Sequence, residues 1–196
     1  MKNTFGAIIL SGGKSERMNY PKAFLEIDGV TFLKKLIDIY KEMLSEIVVV
    51  LNDELSQEKW KNFSDTIDTE CKIVLNHHSE KGKFYSLQLG VKKITSEYCF
   101  IQNVDNPFVS SFTLNSLMKN KNPNGITVPM HNGKGGHPIL VSKNVIEKIS
   151  LTEDTKQHLK DFYWSFSIKT AEMGNDSVLM NINTLEEYEK FVAIKS

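Results

Sequence analysis

The run Phe5-Gly6-Ala7-Ile8-Ile9-Leu10 constrains the fold more than any other segment of this 196-residue chain. It is continuously apolar rather than alternating, and it stops at Ser11-Gly12-Gly13, the pattern of a strand covered on both faces. A strand of that kind needs a parallel or mixed sheet with helices on either side. Residues 31 to 44 then carry Phe32, Leu33, Leu36, Ile37, Tyr40, Met43 and Leu44 at helical spacing, followed by an apolar strand at 46 to 51. The alternation predicts a helix at 54–63, a strand at 72–76, a helix at 84–94 and a strand at 98–104. The fold class expected is α/β: a three-layer α/β/α sandwich with a Rossmann-like, mixed but mostly parallel sheet.

After Pro107 the rhythm changes. A helix is expected at 110–119, then two strands around Asn132-Gly133-Lys134-Gly135-Gly136 that pair as a hairpin, the extra glycines implying a looser loop than two residues. Helices at 143–149 and 153–161 and strands at 165–170 and 177–182 follow. A last helix starts at Thr184, whose Thr-x-x-Glu spacing is a capping box. The length supports one core, so residues 1–196 are read as a single domain.

Lys plus Arg and Asp plus Glu number 24 each, so no overall field favours nucleic acid or anionic lipid, and any phosphate binding must be local. No apolar run approaches the roughly 18 residues of a membrane span. Cys71 and Cys99 lie in apolar stretches without metal spacing and read as thiols of a reducing cytoplasm. His77, His78, His131 and His158 lack ligand spacing and are expected at the surface.

The segment with most chemistry is Leu10-Ser11-Gly12-Gly13-Lys14-Ser15-Glu16-Arg17-Met18-Asn19-Tyr20-Pro21-Lys22. Consecutive amides of a glycine turn make an anion-binding concavity, Arg17 can grip phosphate oxygens in pairs, and Lys22 adds a point charge. Gly13-Lys14-Ser15 matches the end of a P-loop, but the glycine that motif needs would stand at Ile8, inside the strand. The whole segment instead resembles the G-G-x-S-x-R-M-x-x-x-K signature of the MobA-like nucleotidyltransferases, which include molybdenum-cofactor guanylyl- and cytidylyltransferases.

Further matches carry the resemblance along the chain. Gly82-Lys83-Phe84-Tyr85-Ser86-Leu87-Gln88-Leu89-Gly90 is similar to the family's G-x-x-x-S-L-x-x-G, Asp105-Asn106-Pro107 to its D-x-P, and Gly136-His137-Pro138 to the G-H-P of the cytidylyl branch. Asn181-Ile182-Asn183-Thr184 resembles D-I-D-T, with both aspartates replaced by asparagine. The resemblance implies a nucleotide-diphospho-sugar transferase fold and transfer of NMP from an NTP to a phosphorylated acceptor such as molybdopterin, with release of pyrophosphate and Mg²⁺ as cofactor. The conflicting base cues lean to CTP over GTP. It assigns Leu10, Ser11, Gly12, Gly13, Lys14, Ser15, Gly82 and Ser86 to the nucleotide, and Lys22, Arg17 and Asp105 to catalysis. Asp105, Asn183 and Asn181 would hold the metal, and His137 and Gly136 would meet the acceptor. For His137, a structural tie from the hairpin to the core is the competing reading. Molybdoenzyme-maturation proteins are the implied partners, nucleic acid and membrane are not, and the oligomeric state stays open. The asparagines leave two alternatives: a nucleotide-binding sensor or partner module that has lost turnover, and a transferase acting on sugar or other alcohol phosphates.

Overall fold

The computed structural model describes residues 4–11, 20–52, 71–155 and 157–195. The helix expected at 54–63 lies outside them. The first strand, β1 (Phe5–Ser11), is buried from Gly6 onward, and its alternate residues serve different layers. Ala7 and Ile9 pack with α1 (Phe32–Lys41), whereas Ile8 and Leu10 pack with α2 (Gly82–Val91). That division of one strand between two cores is why its sequence is apolar without alternation.

Two short strands, β2 (Glu26–Ile27) and β3 (Val30–Thr31), form a separate antiparallel ribbon that leads into α1. The large sheet contains β1, β4 (Ile47–Asn52), β5 (Lys72–Asn76), β6 (Tyr98–Asn103), β7 (Ile126–His131), β8 (Lys134–Gly135), β9 (Ile139–Ser142) and β10 (Ile168–Glu172). Their order is β10-β7-β9-β6-β1-β4-β5, with β8 paired to β7. The pairs β1/β4, β1/β6, β4/β5 and β7/β10 are parallel; β8 and β9 run against their neighbours. One face is covered by α1 and α3 (Ser111–Lys119), with Tyr188 and Phe191 of α6 (Leu185–Lys195) packed at its margin. The other is covered by α2, α4 (Lys143–Leu151) and α5 (Leu159–Tyr163). The three-layer sandwich with a mixed, mostly parallel sheet is the architecture expected from the sequence.

Local chemistry starts these helices where expected. Thr31 accepts from Lys34 N at 3.2 Å and Ser110 from Thr113 N at 3.2 Å, two N-caps that satisfy amides the helix itself cannot. Gly90 lets α2 lie close to the sheet: a Cβ there would sit 2.7 Å from Ile8 Cγ2.

Four expectations are corrected. The glycine-rich loop contains a tight two-residue turn: Asn132 and Gly133 have φ of 49° and 75°, and Met130 and His131 pair directly with Gly135 and Lys134. The extra glycine, Gly136, belongs to the break between β8 and β9. The helix expected at 153–161 shrinks to Leu159–Tyr163, because Glu153 and Asp154 are exposed and offer no face to bury until Phe162. The strand expected at 165–170 starts only at Ile168, since Ser165 N and Phe166 N still donate to Phe162 O and Tyr163 O in a helical turn. In place of a strand at 177–182 there is a 3₁₀ turn, Asp176–Leu179, opened by Asn175 accepting from Ser177 N at 3.1 Å. The Val178 carbonyl receives His137 N at 2.9 Å and Asn106 Nδ2 at 3.1 Å instead of a ladder partner.

At the amino edge of the sheet, Glu46 is 3% exposed. Burial pushes its pKa up, but hydrogen bonds from Ser96, Lys72 and Thr95 outweigh that and hold the carboxyl below its ordinary 4.5. Because the folded pKa is depressed, the stabilisation is complete above the unfolded pKa and is lost as pH falls through the folded one. Replacing Glu46 by Gln should lower stability at pH 7 by roughly 1–3 kcal/mol, the value of charge-assisted hydrogen bonds. In urea titrations that difference should shrink as the pH is lowered far enough to protonate Glu46 in the folded chain; a gap that stays constant with pH would rule the charge out as its source.

Candidate active site

Open α/β sheets bind ligands beyond the carboxyl ends of their strands, and here the ends of β1 and β6 lie side by side. Leu10 pairs with Asn103, and Val104 N donates to Leu10 O at 3.1 Å. This sets the start of the glycine loop, Leu10 and Ser11, against Asp105. The loop residues Gly12, Gly13, Lys14, Ser15 and Arg17 lie outside the described residues. Lys22 follows in a 3₁₀ turn (Lys22–Phe24) whose Ala23 and Phe24 are buried and anchor it.

Three expected residues converge. Lys22 Nζ donates to Asn183 Oδ1 at 3.0 Å and stands 3.8 Å from Asp105 Oδ2. The lysine and aspartate side chains are 15% and 27% exposed, so the pair is only partly screened by solvent. The segment that carries Asn183 is tied down twice. Ile182 N donates to Asp105 O at 2.8 Å, and the capping box closes as expected, with Glu187 Oε2 accepting from Asn183 N at 2.6 Å and Thr184 N at 3.2 Å. Glu187 N donates back to Thr184 Oγ1 at 3.2 Å. Asn181 is exposed, and no hydrogen bond joins its side chain to Lys22, Asp105 or Asn183.

The aspartate does not open the turn before Pro107. That role belongs to Asn106, fully buried, whose Oδ1 accepts from Phe108 N at 3.4 Å and whose Nδ2 holds the Ser177 and Val178 carbonyls. Asp105 Oδ1 is left buried and without a hydrogen-bond partner. A buried anionic oxygen with no donor beside it calls for a cation. Among the described residues no group of three His, Cys, Asp or Glu could hold a metal. One carboxylate with a carbonyl oxygen nevertheless fits Mg²⁺, which takes one or two protein carboxylates and fills its shell with phosphate and water.

Two further groups share this electrostatic neighbourhood. Lys83, in the first turn of α2, is exposed as a residue, yet the protein mass around its charge lowers its pKa; Lys22 pushes the same way and Asp105 opposes. Burial depresses the pKa of His137 to about 4, with Lys83 acting in the same direction and Asp105 against it. His137 is held by its main chain, N to Val178 O, and no described residue hydrogen-bonds its ring. The tie from hairpin to core is thus made by the His137 amide and leaves the imidazole free. Gly136 is required beside it, since a Cβ there would lie 2.2 Å from Val178 O. Gly82 opens α2 with φ of 85°. Ser86 is buried, accepting from Asn76 Nδ2 at 2.9 Å and donating to Gly82 O at 3.4 Å, so its hydroxyl braces the helix start from within. His131, expected at the surface, is half-buried, and its Nδ1 bonds the Met173 carbonyl region at 2.9 Å.

Sequence reasoning passed over Lys83, Asn103 and Asn106. The available signal was polarity: Gln102, Asn103 and Asn106 interrupt an otherwise apolar strand end, and Lys83 sits inside a motif read only for its glycines and serine.

Fold and site define a nucleotide-handling α/β protein, and comparison with known proteins says of which kind. The MobA-like NTP transferase domain matches residues 7–165, and the chain belongs to that family of nucleotidyltransferases. A probable molybdenum cofactor guanylyltransferase of Clostridium perfringens is 26% identical over 96% of both chains. The molybdenum cofactor cytidylyltransferase of Escherichia coli is 28% identical over 92% of both. Among solved structures, Rv0371c of Mycobacterium tuberculosis superposes with a TM-score of 0.79 at 16% identity, covering 97% of this chain and 98% of that one. Rv0371c has also been solved as a complex with manganese. Among the described residues no helix is long and apolar enough to cross a membrane.

His137 is therefore neutral at pH 7. Between its unfolded value near 6.5 and about 4 the unfolded chain binds the extra proton, so this residue lowers stability as pH falls through that window. An NMR titration of the His137 ring should show a midpoint near 4; one near 6.5 would place the imidazole in solvent.

Proposed function

We propose that this chain transfers NMP from an NTP, CTP in preference to GTP, to a phosphorylated acceptor such as molybdopterin, releasing pyrophosphate. The observation that carries the reading is the triangle of Lys22, Asp105 and Asn183 at the end of β1, where the glycine loop begins. The curated relatives support molybdopterin as acceptor by their names, and Gly136-His137-Pro138 supports the cytidylyl donor.

Phosphoryl-type transfer asks a protein for placement and charge neutralisation more than for covalent chemistry. Lys22 is preorganised for it. Its ammonium is directed by Asn183 Oδ1 and Asp105, and in this reading it stabilises charge developing on the α-phosphate. The amides of Gly12 to Ser15 and the Arg17 guanidinium take the β- and γ-phosphates that leave together. When bound by Asp105 and Asn183, with Asn181 as the further candidate, Mg²⁺ supplies Lewis-acid neutralisation of phosphate charge. A phosphate acceptor already carries its nucleophilic oxyanion, so a neutral His137 need not act as base. It orients the acceptor with Gly136.

Pyrophosphate release from CTP and GTP, tested with molybdopterin and with sugar and alcohol phosphates, checks the reaction. Release with no NTP under any acceptor would sink it in favour of a binding module. Lys22→Ala should cost on the order of 10²-fold in turnover, as for loss of one preorganised donor; unchanged turnover removes Lys22 from the mechanism. Asp105→Ala should abolish metal-dependent release while the thermal midpoint stays near wild type, because Ile182 bonds only the Asp105 main chain. Collapse of the fold would instead make Asp105 a structural residue.

A further inference from the structure

One polar group at the same sheet edge is unused by this mechanism. Asn103, the last residue of β6, is 7% exposed, and its Oδ1 is buried with no hydrogen-bond partner. Strand alternation gives its direction. Phe100 and Gln102 face the α1 layer, Phe100 beside Tyr40 and Gln102 Oε1 accepting from the Tyr40 hydroxyl at 3.1 Å. Cys99 and Ile101 face the α2 layer and pack in one cluster with Phe84 and Leu87. Asn103 continues the second series, so it lies on the sheet face covered by α2, toward that helix's amino end. Leu10 pairs with it on the β1 side. On the β9 side the ladder ends with Ile101 opposite Ile139, two residues short of Asn103.

A buried carboxamide oxygen without a donor is costly and calls for a partner. The oxygen is an acceptor only, and the fully ionised phosphate chain has no hydrogen to give it, so a phosphate could meet this side chain only through Nδ2. The nucleoside has several, on the base amino group and the ribose hydroxyls. Resting on the nucleotide reading above, we infer that Asn103 is a specificity residue of this site, its Oδ1 accepting a hydrogen bond from an N–H or O–H of the bound nucleoside. Its placement beside Leu10 and under the start of α2 puts it on the opposite sheet face from α1, next to the first residues of the nucleotide loop.

The test is calorimetric binding to the full-length protein with Mg²⁺, using CTP, GTP and inorganic pyrophosphate, for wild type, Asn103→Ala and the near-isosteric Asn103→Leu. Thermal denaturation of each variant establishes that it is folded, and Asn103→Ala removes the acceptor without adding bulk. Loss of one hydrogen bond to the nucleoside predicts that the preferred nucleotide binds about tenfold more weakly while pyrophosphate binds as before. Analogues locate the donor. If it is the 2′-hydroxyl, dCTP and dGTP should bind wild type and variant alike. If it is the base amino group, UTP and ITP should do so. Equal affinity of wild type and both variants for CTP and GTP overturns the assignment, and so does an equal loss for pyrophosphate, which would place Asn103 with the phosphates or metal. Failure of wild type to bind any nucleotide would instead bring down the transferase reading on which the assignment rests.

Discussion

The parallel pairing of β1 with β6 is the constraint from which the rest of the site follows. Six residues of β1 are in register with β6, ending at Leu10 opposite Asn103, and the bond from Val104 N to Leu10 O extends the contact past the strand. The ladder fixes the spacing between two loops far apart in sequence: the glycine segment after Ser11 and the Asp105-Asn106-Pro107 turn. It is stable because both faces are covered, Ala7 and Ile9 by one helical layer and Ile8 and Leu10 by the other. Two-sided burial leaves no register in which the strand could slip without exposing core residues, so the site is positioned by the core rather than by its own contacts.

A second brace acts from the carboxyl-terminal third. Asn106 grips the carbonyls of Ser177 and Val178, His137 N takes the same Val178 carbonyl, and Ile182 N bonds Asp105 O. These main-chain ties draw residues 177–183 across the sheet edge, so Asn183 reaches Lys22. That explains why a stretch with the composition of a strand does not form one: its carbonyls and amides are already committed to the turn after β6 and to the β8–β9 break. Gly136 is part of the same arrangement, since only a residue without Cβ allows that closeness to Val178.

How far the sequence could be read follows the range of the forces involved. Elements set by short-range periodicity and capping were legible to within a few residues: β1, α1, β5, α3 and the Thr184 capping box. Lys22, Asp105 and Asn183 were legible as a set because fixed motif spacings carry them, and the structure brings Lys22 within hydrogen-bonding distance of Asn183 and ion-pair distance of Asp105. Some misses are local, such as the helical turn that delays β10, and others depend on partners distant in the chain. Residues 177–182 look like a strand until Asn106 and His137 take their carbonyls, and Ser86, expected at the nucleotide, is met instead by Asn76 from β5. Periodicity gives no hint of the charge around His137, because Lys83 and Asp105 meet it only in three dimensions.

The asparagine at 183 changes the electrostatics in a direction that can be argued from these contacts. With a carboxylate in its place, Lys22 would face two anions, and its charge would be spent within the protein before a phosphate arrived. With a neutral carbonyl oxygen the same geometry orients the ammonium at 3.0 Å, and of these two partners Asp105, at 3.8 Å, is the one that carries a negative charge. The local balance thus shifts toward positive, and Lys83 adds to it, with Asp105 the carboxylate acting on both ammonium groups. In a chain of zero net charge, that local excess adds to the loop amides and Arg17 proposed for the triphosphate. In the proposed metal site the cost would fall on the cation, which would meet one fewer negative ligand and would draw more of its binding from the phosphates themselves. Metal and nucleotide should therefore bind as a unit, each weakly held without the other.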